Sequence, residues 1–309
     1  MNSNNRRDSL GRVAILMATY EGSQFIQQQV DSILSQTHTD FILYIRDDGS
    51  SDAFKQVLLD LVDSRSKIKL IDLDGARTGS AAENFFEMIK SINSCEFDYF
   101  MFADQDDIWL PDKISKCLYR LKNGYSGYSS NLTAFLNEDN AVTWSVDKYG
   151  IQTKYDYLFQ GASAGCTYGI SRDLFEIINS AIRSFPSVNY KGLSHDWLIY
   201  AIARSHGLGW YMDSNSYIMY RQHDSNVTGR RKGFPRLFDL YNKLTSPWYH
   251  NIIVGNLKYL NQNFEVQNIR SFFFNDSLPA RLAILSKIFL YLRRSRVESL
   301  IIVPFLLLR

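Results

Sequence analysis

Three carboxylates fall within four positions at Asp104-Gln105-Asp106-Asp107, directly after the apolar, aromatic run Phe100-Met101-Phe102-Ala103. Acids placed this closely repel one another unless a cation or a basic partner neutralises them. An Asp-X-Asp pair suits a hard divalent ion such as Mg2+ or Mn2+, whose oxygen shell is usually completed by phosphates and water. A solvated loop without metal is the plainer alternative. Two other polar groups have the residue types for chemistry: Asp47-Asp48-Gly49-Ser50, and His195-Asp196 beside Trp197.

The elements that must position these residues follow from hydrophobic spacing. Val13 to Ala18 is a continuous apolar run, as expected for a strand buried on both faces. Phe25, Ile26, Val30, Ile33 and Leu34 recur at helical spacing, and Phe41 to Ile45 reads as a second strand. A helix through Val57, Leu58, Leu61 and Val62 follows, then a strand over Ile68 to Ile71. Phe85, Phe86, Met88 and Ile89 mark another helix, before the strand that opens at Tyr99. This alternation predicts an open α/β fold, a mostly parallel central sheet with helices on both faces. In such sheets ligands bind outside the carboxyl ends of the strands. Thr19-Tyr20, Asp47-Asp48 and the acids from Asp104 to Asp107 all fall at such ends, so one shared site is expected. Pro111 and Asp112 signal a helix start, and Asp107 either caps that helix or joins the acidic site. Asp52 reads as a helix N-terminal residue. The stretch between 122 and 157 fits no clear template.

A chain of 309 residues holds one large domain, or one domain with an appendage. Its 45% hydrophobic and 14% aromatic content exclude global disorder. The formal charge of +2 conceals an asymmetry. Residues 1–229 carry 28 acidic and 21 basic side chains, whereas residues 230–309 carry 4 and 13. The expected division is therefore an acidic main domain over 1–229, which carries the polar clusters, and a basic, amphipathic helical C-terminal region over 230–309. The absence of GxGxxG, and of GxxxxGK followed by Ser or Thr, argues against dinucleotide redox chemistry and a P-loop. No nucleic-acid partner is expected. Cys95, Cys117 and Cys166 have no metal-type spacing, and an odd number without an apolar leader points to a reducing cytoplasm. No apolar run is long enough to span a bilayer.

Within the basic region, Phe234, Leu237, Phe238, Leu240, Tyr241 and Leu244 predict one amphipathic helix. The apolar residues from Leu282 to Leu290 precede Arg293-Arg294-Ser295-Arg296, and Leu300 to Leu308 closes the chain. These features predict a peripheral contact with the inner face of the cell membrane, basic residues toward anionic headgroups. A helical add-on packed on the catalytic domain, or a homodimer interface, is the alternative.

Four ordered blocks resemble the inverting family-2 glycosyltransferases of GT-A fold. They are Ala18-Thr19-Tyr20; Asp47-Asp48-Gly49-Ser50-Ser51-Asp52; Ala103 to Asp107 with Trp109-Leu110-Pro111-Asp112-Lys113; and His195-Asp196-Trp197 followed by Tyr220-Arg221-Gln222-His223-Asp224-Ser225-Asn226-Val227. Within the family the wording is nearest a bacterial rhamnosyltransferase branch, on Asn84-Phe85-Phe86, Asp104 to Trp109 and Tyr220 to His223 with Asn226-Val227. The resemblance implies transfer of a sugar from a nucleotide-sugar donor, dTDP-L-rhamnose or a UDP-hexose, to a glycan or lipid-linked acceptor. An inactive carbohydrate-binding member of the fold is the contrasting reading. It further implies Thr19, Tyr20 and Asp48 at the nucleotide, with Tyr20 stacking and Asp48 on the pyrimidine ring nitrogen. Asp106 would be the foremost Mn2+ or Mg2+ ligand, Asp104 a ribose or water-mediated metal contact, and His223 the ligand that completes the ion's coordination. Asp196 would be the general base, with an N-cap role competing, and His195 would either orient it or lie at the surface. Arg77 and Arg221 could reach the diphosphate. Gly161 to Cys166, a run of small residues, would lie near the acceptor or serve close packing.

Overall fold

The computed structural model describes residues 10–71, 75–136, 142–184, 192–222, 241–261, 264–274 and 277–307. The first half follows the expected alternation. β1 (Val13–Thr19) is followed by α1 (Ile26–Leu34), β2 (Phe41–Asp47), α2 (Asp52–Asp63), β3 (Ile68–Leu70), α3 (Ala81–Ser91) and β4 (Tyr99–Ala103). β1 pairs in parallel with β2 on one side and β4 on the other, and β2 pairs in parallel with β3. The chain thus changes direction across the sheet at β1, the switch point where such folds open a crevice.

Beyond β4 the ladder is mixed. β5 (Ile108–Trp109), α4 (Lys113–Lys122), β6 (Gly127–Leu136), β7 (Thr143–Val146), α5 (Asp156–Phe159), β8 (Gly169–Ser171), α6 (Arg172–Arg183), α7 (His195–Ser205) and β9 (Trp210–Gln222) follow in order. The strand order is β3-β2-β1-β4-β8-β6-β9-β5, with β7 on β6. β4 to β8, β8 to β6 and β9 to β5 are antiparallel, while β6 and β9 run parallel with register shifts near Ser130 and Asn131. The untemplated stretch therefore supplies two strands.

Alternation along β1 divides the core. Val13, Ile15 and Met17 face α1, α2 and α4 through Ile26, Val30, Phe54, Leu58, Ile114 and Leu118. Ala14, Leu16 and Ala18 face the cluster of Phe85, Phe86, Phe175, Leu198 and Ile199 from α3, α6 and α7. Both faces exclude water, which is why this strand is apolar as far as Thr19 at its carboxyl end.

Four further helices close the described chain: α8 (Pro247–Asn256), α9 (Phe264–Phe274), α10 (Leu278–Ile288) and α11 (Arg296–Leu307). Pro247 occupies the first turn of α8, and the Ser246 hydroxyl accepts from the Tyr249 N–H. Tyr249, Ile252, Val266, Phe272, Leu285 and Ile302 join the same core as α3 and α7. The closing apolar run is thus partly interior, with Ile302 and Leu306 buried and Leu300 exposed. The helix expected around Phe234 to Leu244 lies mostly outside the described residues. Arg293 and Arg294 depart from their expected place among headgroups, since both turn inward onto protein groups. Their planar forks match carboxylate and carbonyl acceptors available there.

Candidate active site

The carboxyl ends of β1, β2 and β4 are joined by a lattice of hydrogen bonds. In parallel register Thr19 stands beside Asp47, and its hydroxyl lies 3.3 Å from both Arg46 O and Asp47 Oδ1. Asp47 accepts from the Ser50 N–H at 2.7 Å and the Ser50 hydroxyl at 2.6 Å, a side-chain-to-backbone link across three residues that holds the turn after β2. Asp48 is buried, and its carboxylate accepts from Thr78 N, Thr78 Oγ1 and Gly79 N at 2.7, 2.7 and 2.8 Å. Arg46 stands 3.6 Å from Asp48 and donates to Asn84 Oδ1 and Ala76 O. Asp48 therefore fastens the loop that carries Arg77. Asp52 begins α2 as expected, and Glu21 accepts from the N–H and hydroxyl of Ser51 at that helix start.

Tyr20 is 43% exposed, and the Arg77 guanidinium lies 4.4 Å above its ring. The Tyr20 backbone exchanges two 2.9 Å hydrogen bonds with the side-chain amide of Gln105. A Cβ on Gly22 would collide with that amide, so a larger residue there would displace Gln105 from the Tyr20 backbone. The middle residue of the acidic motif thus ties β1's loop to β4's.

The acids are not equivalent. Burial and the charges of Asp106 and Asp196 push the Asp104 carboxyl up to about 7. Asp107 is fully buried, and burial with Asp104 and Asp106 raises its carboxyl well above the ordinary range. Its Oδ1 accepts from the Arg221 N–H at 3.3 Å, whereas Oδ2 has no hydrogen-bond partner among the described residues. Asp107 does not cap α4, whose N-cap is Asp112. Behind it, the buried Lys113 ammonium lies 3.7 Å over the Trp109 ring, and burial lowers it to about 8. Cys166, for which sequence spacing offered no ligand set, comes within 4.8 Å of the carboxylates of Asp104 and Asp107. The separation of 59 positions hides that contact from any motif.

Arg221 is buried at the end of β9. Its Nε donates to Asp106 O at 2.7 Å, Nη2 donates to Gln28, and Phe25 and Phe135 flank the guanidinium at 4.8 and 4.7 Å. It braces the acidic loop. His223 lies outside the described residues.

Asp196 occupies the first turn of α7, one residue past its start at His195 and two past the N-cap position, Ser194, whose side chain makes no capping hydrogen bond. Its Oδ1 accepts from Trp197 N at 2.7 Å and from the Ser194 hydroxyl. Its charge raises the Asp104 carboxyl, so the acidic loop and the α7 start share one electrostatic field. His195 neither lies at the surface nor bonds Asp196: its ring tilts over Phe85 at 4.2 Å, and burial lowers its pKa. A Cβ on Gly165 would strike its Nε2, which gives the small residues of this stretch a packing task. Sequence reasoning missed Gln105, Arg46 and Gln29, the last of which donates from the buried face of α1 to Asp104 O at 2.9 Å. The available signal was a polar residue on an otherwise apolar helical face.

A parallel half-sheet with its switch point at β1, joined to a mixed half that brings a second carboxylate, defines a GT-A glycosyltransferase fold. S. aureus TarS 1-349 in complex with UDP-GlcNAc superposes with a TM-score of 0.54 at 12% identity, covering 91% of this chain and 81% of that one. Residues 14–178 match the family description Glycosyl transferase family 2. The chain belongs to glycosyltransferase family 2. It is 33% identical over 234 residues to the dTDP-rhamnosyl transferase RfbG of Shigella flexneri, covering 75% of this chain and 80% of that one. It is 29% identical over 179 residues to the UDP-Glc:alpha-D-GlcNAc-diphosphoundecaprenol beta-1,3-glucosyltransferase WfgD of Escherichia coli, covering 57% and 65% respectively.

Proposed function

We propose that this enzyme moves L-rhamnose from dTDP-L-rhamnose, with inversion, onto a hydroxyl of a growing cell-surface polysaccharide or lipid-linked glycan. The observation that carries the transferase reading is the bridge between the two carboxylate groups: a Cβ on Gly165 would lie 3.3 Å from Asp196 Cβ, and the adjoining Cys166 comes within 4.8 Å of the Asp104 carboxylate. It unites a donor-diphosphate site and a second carboxylate suited to acceptor chemistry. The rhamnose assignment rests on similarity to RfbG.

Thr19, Tyr20 and Asp48 hold the pyrimidine end, with Tyr20 and Arg77 forming an exposed stacking platform. Asp104, Asp106 and His223 would hold a divalent ion. The excess charge at Asp104 and the unpartnered oxygen of Asp107 fit a cation, and oxygen with imidazole donors suit Mn2+ or Mg2+. When bound, that ion supplies positive charge to the departing diphosphate. Arg221 adds its charge there while it braces the loop. Asp196, with Oδ1 occupied by its own helix start, takes the acceptor hydroxyl proton on Oδ2. The acceptor oxygen then bonds to the anomeric carbon as the bond to the diphosphate breaks.

The test is a panel of nucleotide sugars incubated with Mn2+ or Mg2+, followed for nucleotide release and sugar transfer. Turnover of dTDP-L-rhamnose above the UDP-hexoses is expected; preference for a UDP-hexose would overturn the sugar assignment. Calorimetry with dTDP and Mn2+ serves as a second arm. A lack of metal-assisted binding would end the metal-dependent reading.

The C-terminal helices contribute a peripheral membrane contact on the cytoplasmic face. Leu278 and Leu282 on α10, Leu290 after it, and Val297 and Leu300 on α11 are exposed, and Lys287 and Arg296 are exposed among them. No helix among the described residues is long and apolar enough to cross a membrane. Co-sedimentation with phosphatidylglycerol vesicles is expected, and recovery of all protein in the supernatant would remove this contact.

A further inference from the structure

The segment from Gln152 to Ser163 packs beside α7, and its polar groups are held by side chains from the far end of the chain. Asp156, at 0% exposure, accepts from the Tyr200 hydroxyl at 2.9 Å and Arg204 Nη1 at 3.2 Å. Its other cationic partner is Arg294 Nη1, at 3.4 Å. The second arm of the same fork, Arg294 Nη2, donates to Gly161 O at 2.8 Å and Ala162 O at 3.2 Å. Arg293 donates to Phe159 O and to the Tyr249 hydroxyl at 3.0 Å, and Nε pairs with Glu298 at 2.8 Å. Tyr291 O accepts from Thr153 Oγ1 at 2.6 Å and Tyr155 N at 3.1 Å. Residues 291–294 therefore form a strap over 153–162.

That segment touches the start of α7. Trp197 Nε1 donates to Tyr157 O at 2.8 Å, and a Cβ on Gly161 would sit 3.6 Å from the Trp197 Cα. Trp197 is the neighbour of Asp196 and donates its backbone N–H to that carboxylate. A continuous path of hydrogen bonds and packing thus runs from Arg294, through Gly161 and Trp197, to Asp196. We propose that Arg294 is a positioning residue for the transfer step, holding the 156–162 segment and, through it, the α7 start in register with the acidic loop. This rests on the reading of Asp196 as the base. Lysine would keep the charge but lose the planar fork that serves Asp156 and two carbonyls together, and a displacement of about 1 Å at a reacting group costs up to about a hundredfold in rate.

The test uses the full chain, the donor that the wild-type protein turns over, and water as acceptor. Arg294→Lys is expected to lower kcat about tenfold or more, while dTDP affinity by calorimetry stays within about twofold. Arg294→Ala should fall further and regain part of its rate when guanidinium chloride is supplied at millimolar concentration. Should Arg294→Ala fail to fold, Arg294→Lys alone carries the test. Unchanged kcat in Arg294→Lys, or a parallel loss of kcat, dTDP affinity and melting temperature, would overturn the positioning role. Asp196→Asn is run alongside: wild-type turnover there ends the base assignment, whereas an inactive Asp196→Asn with a wild-type Arg294→Lys ends only the positioning role.

Discussion

The donor side and the acceptor side of this site are assembled in different ways. Thr19, Asp48, Gln105 and Asp104 stand at the ends of three neighbouring parallel strands, and their partners Arg46, Ser50, Thr78 and Asn84 come from the same first third of the chain. The acceptor side depends on distant segments instead: Asp156 needs Arg204 and Arg294, and the strand β6 pairs in parallel with β9 some eighty residues later. The first side is mainly a local consequence of the βα units, with Arg221 of β9 as the distant brace of its acidic loop. The other is a tertiary agreement, so damage to one should be separable from damage to the other.

Four expected outcomes sharpen or break that contrast. Asp196→Asn should abolish transfer, by roughly 10³-fold or more, with dTDP binding intact; steady-state kinetics beside calorimetry read both, and a joint loss would deny the separation. Asp156→Ala leaves two half-buried guanidinium groups facing no carboxylate, so urea unfolding should show a loss of about 3 kcal/mol. A loss below about 1 kcal/mol would show that the network is not the tie described. Asp106→Ala should weaken Mn2+-assisted dTDP binding on the order of a hundredfold, since several kcal/mol of charge stabilisation is at stake, and leave the melting temperature near wild type. The smallest effect is in pH. Asp104 is raised from 3.8 to about 7 in the folded chain, so its contribution is fully present below pH 3.8 and lost as pH rises through 7. Metal-free protein should therefore be less stable at pH 8 than at pH 6, and Asp104→Asn should flatten that slope in paired urea titrations.

The sequence was informative where burial speaks through hydrophobicity. Val13 to Ala18, Phe41 to Ile45 and Phe100 to Ala103 are apolar because both faces of their strands are covered, so the donor end and its acids were legible. β6 escaped because three successive buried positions, Ser129, Ser130 and Asn131, are polar and break its apolar run. The Ser129 hydroxyl accepts from Trp210 Nε1, Ser130 O accepts from Ser163 Oγ, and Asn131 Nδ2 donates to Ser214 O. Side chains satisfied by distant partners carry no periodic signal. Arg293 and Arg294 misled for the same reason, since a basic pair reads as solvated until carbonyls such as Phe159 O and Gly161 O are known to face it. Asp107 shows the limit of spacing: its adjacency to Asp106 gave no hint that it turns inward toward Lys113 and Cys166.

The Arg294 tie to Asp156 also orders events during synthesis. A ribosome releases the βα units that bear Thr19, Asp48 and Asp104 long before residue 294, and domains fold from the N-terminal end as they emerge. At that moment Asp156 has Arg204 and Tyr200 but not its second guanidinium. A nascent chain stalled before the strap therefore presents the ends of β1, β2 and β4 complete beside a 153–162 segment not yet locked. Emergence of residues 291–294, rather than of Asp196, closes that side of the molecule.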